Sequence, residues 1–177
     1  MTEPRYFDDF VRVWRDDGET TFRKHYTRHV LIGVGVVGEL DESGRRGEAS
    51  TFLAALHDQP VKGASLQKRI WLLKRSPYGP GTRHVWIGRG AGNDVVIPEH
   101  SISKAHCRMH HDNGRILLTD LDSHNGTFVE GARIPAREPW PLHDEDELIL
   151  GRYKFQLLTA RTFLTRVHTA ASSVYYL

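Results

Sequence analysis

The stretch that decides the fold class runs Ala105-His106-Cys107-Arg108-Met109-His110, then Asp112-Asn113-Gly114, then Arg115-Ile116-Leu117-Leu118-Thr119-Asp120-Leu121. Two short strand-like runs flank an Asn-Gly pair, which readily supplies the positive φ angles of a tight hairpin turn. The same rhythm extends in both directions from this hairpin. Short apolar runs separated by turn residues occur at 69–74, 84–87, 94–97, 127–129, 133–134, 147–150 and 153–158. Closely and regularly spaced strands of this kind predict an all-β sandwich or barrel, not an α/β fold.

Upstream, Phe7, Phe10, Val11 and Trp14 fall at i, i+3, i+4 and i+7, which predicts a short amphipathic helix. Thr2 is a candidate cap with Pro4 in the first turn, and Asp16-Asp17-Gly18 is expected to end it. Residues 30–40 are rich in Val, Ile and Gly and read as a strand. Within them, Gly33-Val34-Gly35-Val36-Val37-Gly38 matches the G-x-G-x-x-G spacing of dinucleotide-binding turns. That pattern carries meaning only between a strand and a helix, and here a polar loop, Asp41 to Gly47, follows it. Residues 50–63 suit a short helix or an irregular loop equally. After Thr159, Phe163, Leu164 and Val167 stand at helical spacing and predict a closing helix. The expected organisation is an N-terminal extension over 1–68, a β domain over 69–158 and a C-terminal tail over 159–177.

Three polar motifs fall between the predicted strands: Gly88-Arg89, Ser103-Lys104-Ala105-His106 and Ser123-His124-Asn125-Gly126-Thr127. Asn93-Asp94-Val95-Val96-Ile97, Asp120-Leu121-Asp122-Ser123, Leu142-His143-Asp144-Glu145-Asp146 and Leu150-Gly151 complete the series. In this order and spacing, from about Arg69 to Leu158, they resemble the forkhead-associated (FHA) domain family. The resemblance implies a two-sheet β-sandwich that binds phosphothreonine peptides on its loops. The physics agrees with that implication. A phosphothreonine carries about −1.5 to −2 charge and three strong acceptor oxygens, so a receptor needs a guanidinium, a hydroxyl and further donors converging on one point.

By that resemblance Arg89, Ser103 and Lys104 hold the phosphate, Asn125 clamps the peptide main chain, and Ser123 and His124 flank it. Gly88, His106 and Gly126 are expected to support the loops from behind. Several positions depart from the family pattern. Lys104 replaces a more usual arginine, which keeps the charge and loses the bidentate fork. His124 stands where a small hydroxyl residue is common, Glu145 replaces the glycine of an Asp-Gly-Asp turn, and Glu130 replaces the asparagine of a hairpin.

Composition narrows the alternatives. The chain has 177 residues and a net charge of +2. Residues 83–158 carry 9 Lys/Arg against 11 Asp/Glu, and the first 82 carry 13 against 11, without the basic excess of a nucleic-acid binder. One cysteine, Cys107, cannot form an internal disulfide, and no apolar run approaches a membrane span, so a cytoplasmic protein is expected. His106, Cys107, His110 and His111 lie close in sequence but lack a zinc-site spacing, and no Gly-x-Ser-x-Gly turn occurs. The reading is therefore a binding module and not an enzyme, with no cofactor or metal. Its expected partner is a threonine-phosphorylated protein, a Ser/Thr kinase or its substrate among the candidates. A phosphorylation-independent interaction or oligomerisation scaffold on the same fold is the alternative.

Overall fold

A computed structural model describes residues 5–37, 67–76, 79–80 and 83–173. Two sheets face one another. The first holds six strands in the order β2-β1-β11-β10-β7-β8: β1 (Val30–Val36), β2 (Ile70–Leu72), β7 (Thr127–Val129), β8 (Ala132–Arg133), β10 (Glu147–Leu150) and β11 (Tyr153–Leu158). The second holds five in the order β4-β3-β5-β6-β9: β3 (Val85–Gly88), β4 (Val95–Val96), β5 (Cys107–Asp112), β6 (Arg115–Asp120) and β9 (Pro139–Leu142). All neighbours are antiparallel except β3 and β4. The all-β sandwich expected from the spacing is thus the observed architecture.

The predicted hairpin closes at Asp112↔Arg115, with Asn113 at φ 48° and Gly114 at φ 78°. Alternation along β5 and β6 sends Cys107, Met109, Ile116 and Leu118 into the core between the sheets, where they meet Leu31, Leu148, Leu150, Phe155 and Leu157. Strand β9 escaped the sequence reading because Pro139 and Pro141 interrupt it. It lies at the edge of its sheet, where a strand tolerates missing N–H donors. The glycines of the G-x-G-x-x-G pattern that are described, Gly33 and Gly35, lie inside β1 on either side of a bulge, and Gly38 and the loop expected after it lie outside the described residues.

Two helices form a third layer. α1 (Phe7–Tyr26) starts with the Asp9 carboxylate accepting the main-chain N–H groups of Tyr6 (3.0 Å) and Arg5 (3.2 Å). Its expected end at Gly18 is a correction. Gly18 (φ 79°, ψ 165°) kinks the helix without terminating it, and the second segment buries Phe22 against Phe10 and Trp14. The candidate cap Thr2 and Pro4, and residues 50–63, lie outside the described residues. α2 (Ala160–Ser172) is the predicted closing helix, capped by Thr159, whose hydroxyl accepts the Thr162 N–H at 3.3 Å. Phe163, Leu164 and Val167 join Phe10, Phe22, Val30, Ile70 and Leu158 in a second apolar cluster. β1 is hydrogen-bonded between β2 and β11, so this N-terminal strand is part of the sheet itself.

Candidate functional site

Strand direction brings four connections to one end of the sandwich: β3–β4, β4–β5, β6–β7 and the β10–β11 turn. Hydrogen bonds tie them to one another. The Arg89 N–H donates to the Ser103 carbonyl (2.9 Å) and the Gly90 N–H to the Lys104 carbonyl (3.0 Å). Asn93, buried, donates its side-chain amide to the carbonyls of Gly90 (2.7 Å) and Lys104 (2.6 Å). Gly88 lies so close to this junction that a Cβ would stand 2.5 Å from the Lys104 carbonyl oxygen. The Asn125 amide donates to the Ser101 carbonyl (2.7 Å), and the Ser101 hydroxyl accepts the Arg152 N–H (3.2 Å). The His124 N–H donates to the Ser103 hydroxyl (3.0 Å).

Beneath these loops sits a buried polar layer. His106 is fully buried, and its Nδ1 accepts the Ser103 N–H at 3.1 Å, which fixes the residue that carries the candidate hydroxyl. Burial pulls the His106 pKa down to about 4, against the opposing pull of Asp120 and of the Gly126 carbonyl, so the ring is neutral. Asp120 is buried as well. Burial alone would raise its pKa, but the Ser123 hydroxyl (2.6 Å), the Thr127 hydroxyl (2.5 Å), the Ser123 N–H (2.9 Å) and His106 outweigh that and hold it lowered. Gly126 follows at φ 78°, and a Cβ there would stand 2.7 Å from Nε of Arg133.

The predicted site residues divide over this frame. Arg89 is half-buried, donates from Nε to the Ile102 carbonyl (3.1 Å), and forms no ion pair with a carboxylate among the described residues. Lys104 and His124 are exposed. Asn125 is buried, with 8 % of its surface exposed and one amide N–H committed to Ser101. Ser123 is as buried as Asn125, at 7 %, and its hydroxyl donates to the Asp120 carboxylate (2.6 Å). Asn93, Ser101 and Asp120 are the wiring that sequence reasoning did not assign. Asn93 and Asp120 stand in the quoted motifs, whereas Ser101 binds Asn125 through its carbonyl and leaves no side-chain signal for that contact.

The neighbouring histidines diverge. Cys107 lies in the main core with its thiol pKa pushed up by burial. His110 meets His84 edge-on, and His111 stacks on His29. Among the described residues no group of three or more His, Cys, Asp or Glu side chains is placed to hold a metal ion. No helix among them is long and apolar enough to cross a membrane.

Residues 85–151 match the family model described as the FHA domain. Over 67 residues, 38% of this chain, the sequence is 43% identical to the ABC transporter ATP-binding/permease protein Rv1747 of Mycobacterium tuberculosis. Over 65 residues, 37% of this chain, it is 40% identical to the FHA domain-containing protein FhaA of the same organism. The chain spans only 7% and 12% of the lengths of these two relatives. Among solved structures, an FHA domain of a hypothetical protein from Arabidopsis thaliana superposes with a TM-score of 0.47 at 21% identity, covering 74% of this chain and 84% of that one.

Proposed function

We propose that this protein, whose residues 85–151 match the FHA domain family model, captures threonine-phosphorylated partner proteins through Arg89, Ser103, Lys104, His124 and Asn125. The observation that carries the reading is the state of Arg89. Its Nε is anchored on the Ile102 carbonyl, and among the described residues no carboxylate neutralises it. A guanidinium held in place but left electrically uncompensated beside a serine hydroxyl and an exposed lysine is matched to a dianionic phosphate. Ser103 is fixed by three contacts, through its carbonyl, its N–H and its hydroxyl. The partner's phosphate therefore meets a preformed cluster and little ordering cost.

In this reading Asn125, with one amide N–H held by Ser101, clamps the peptide main chain through the rest of its amide. Ser123 contributes from behind, through Asp120. In this reading 69–158 carries recognition, while the N-terminal segment and α2 buttress the sandwich. The partner is a phosphorylated Ser/Thr kinase or kinase substrate, and the chemistry is binding without catalysis.

The test is calorimetric titration with matched phosphothreonine, phosphoserine, phosphotyrosine and plain threonine peptides selected from an oriented library. Each hydrogen bond to a charged group is worth about 1.5 to 3 kcal/mol, so Arg89→Ala is expected to weaken phosphothreonine binding by roughly tenfold to a hundredfold. Equal binding by wild type and variant, or by phosphorylated and plain peptide, refutes the reading.

A further inference from the structure

We propose that His29 is a pH-operated latch between the sandwich and α2: its neutral ring holds the first turn of the helix, and its imidazolium releases that turn. His29 stands at a junction. It immediately precedes β1, its carbonyl accepts the Leu73 N–H just past β2 (2.8 Å), and its Nδ1 accepts the N–H of Ala160, the first residue of α2 (2.9 Å). His111 of β5 stacks on the ring, with centroids 5.0 Å apart and planes 29° from parallel. One half-buried imidazole thus meets both sheets and the helical layer.

The bond to Ala160 exists in one protonation state only. The first N–H groups of a helix have no acceptor within it and need one from outside. Thr159 serves the Thr162 N–H through its hydroxyl (3.3 Å), and Ala160 is served by His29. A neutral imidazole accepts at Nδ1 when its proton sits on Nε2, whereas an imidazolium carries a proton on both nitrogens and accepts nothing. Protonation therefore sets a ring N–H against the Ala160 N–H, at the positive end of the helix dipole and beside a second imidazole. The contact turns repulsive, and separation relieves it.

The surroundings set the direction of the response. Two titratable groups act on the ring, His111 from β5 and Asp144 from the turn before β10. Burial and then His111 lower the His29 pKa, and the opposing pull of Asp144 does not prevail. Arg28, next in sequence, turns its guanidinium to the Thr27 carbonyl (2.7 Å). A ring that binds its proton more weakly in place than in water is driven out of place by protonation. Asp144 is engaged with the N–H (2.7 Å) and hydroxyl (2.9 Å) of Thr159, so it keeps hold of that residue while His29 lets go of the next. His106 supplies an internal comparison. It holds the Ser103 N–H through the same atom, Nδ1 (3.1 Å), yet it is fully buried and stays neutral down to about pH 4. Acidification reaches the half-buried His29 first, opening the start of α2 while the loop frame stays closed.

The experiment follows, by NMR on the full chain, the ring nitrogens of His29 and the amide protection factors of Ala160 and Ser103 as pH falls from about 7.5 to about 5. The expected result is a roughly fivefold to tenfold fall in Ala160 protection, the worth of one hydrogen bond, in step with protonation of the His29 ring, while Ser103 keeps its protection. His29→Asn, whose side-chain carbonyl accepts the same N–H and does not titrate, is expected to hold Ala160 protection constant over that range. Unchanged Ala160 protection while the wild-type ring titrates, an equal loss at Ser103, or the same pH-dependent loss in His29→Asn would overturn the proposal. Coincidence of the ring and amide midpoints in the wild type decides the matter by itself where the variant does not fold.

Discussion

The loop end of the sandwich and the helical layer are held by opposite kinds of force. At the loop end, Asn93, His106, Asp120 and Ser101 join four connections through directional hydrogen bonds, several of them buried. In the helical layer, Phe10 meets Phe22 and Phe163 edge to face, with centroids 5.3 Å apart for Phe10 and Phe163, and apolar burial dominates. The difference matters because hydrophobic contact is non-directional, whereas a hydrogen-bonded frame transmits position. A receptor for a small, highly charged group needs the second kind of support, and the helices need only the first.

The largest effect that separates the two regions is expected from Phe163→Ala. Phe163 is fully buried and touches both segments of α1, so its truncation leaves a cavity that costs about 3 to 5 kcal/mol. Phosphopeptide affinity per folded molecule should nevertheless stay at the wild-type value, because the loop frame contains no member of that aromatic cluster. Denaturant melts paired with calorimetry check both halves. A parallel loss of affinity would dissolve the distinction between the regions.

The next effect comes from pH and belongs to the loop end. His106 titrates near 6.5 in the unfolded chain and at about 4 in the fold, so protonation favours unfolding. Its contribution is complete above about pH 6.5 and is lost as pH falls from there toward 4, to a total of about 3 kcal/mol. His29 and His84, whose pKa values are also lowered, act in the same direction. The Asp120 carboxylate, lowered as well, adds its own loss once pH falls below the ordinary carboxylate range. Following the His106 ring protons by NMR should show no titration above about pH 5. A midpoint near 6.5 would mean that the ring is solvated and the loop frame is open.

The strands were legible because burial on one face imposes a period of two, and the Asn113-Gly114 turn announces its own φ angles. The same logic failed where local rules were overridden by position. Pro139 and Pro141 disguise β9, which survives only because it is an edge. Gly18 reads as a stop, yet the buried Phe22 pulls the chain back into a helix. In the candidate site, the polar residues announced the loops but not the direction each one faces. Ser123 and Asn125 differ by two positions and are buried alike, and only the structure shows that one is tied to the Asp120 carboxylate and the other to the Ser101 carbonyl.

The smallest effect tests how the helical layer is fastened to the sandwich, at the turn before β10. Glu145 adopts φ 72°, in the left-handed region that glycine occupies without strain, and this is the position at which the sequence departs from an Asp-Gly-Asp pattern. Its neighbour Asp144 accepts the Thr159 N–H (2.7 Å) and the hydroxyls of Thr159 (2.9 Å) and Thr162, so the turn holds the first residues of α2. Glu145 itself pairs with Arg166 of that helix. Glu145→Gly relieves backbone strain of about 1 to 2 kcal/mol and gives up a surface ion pair worth about 0 to 1 kcal/mol, with a further entropic cost for the glycine. The expected net is a gain below about 1 kcal/mol, seen as a rise of up to about 3 °C in melting temperature with unchanged phosphopeptide affinity. A fall instead would show that the Arg166 contact outweighs the strain, making a polar link and not aromatic packing the element that fixes α2 to the turn.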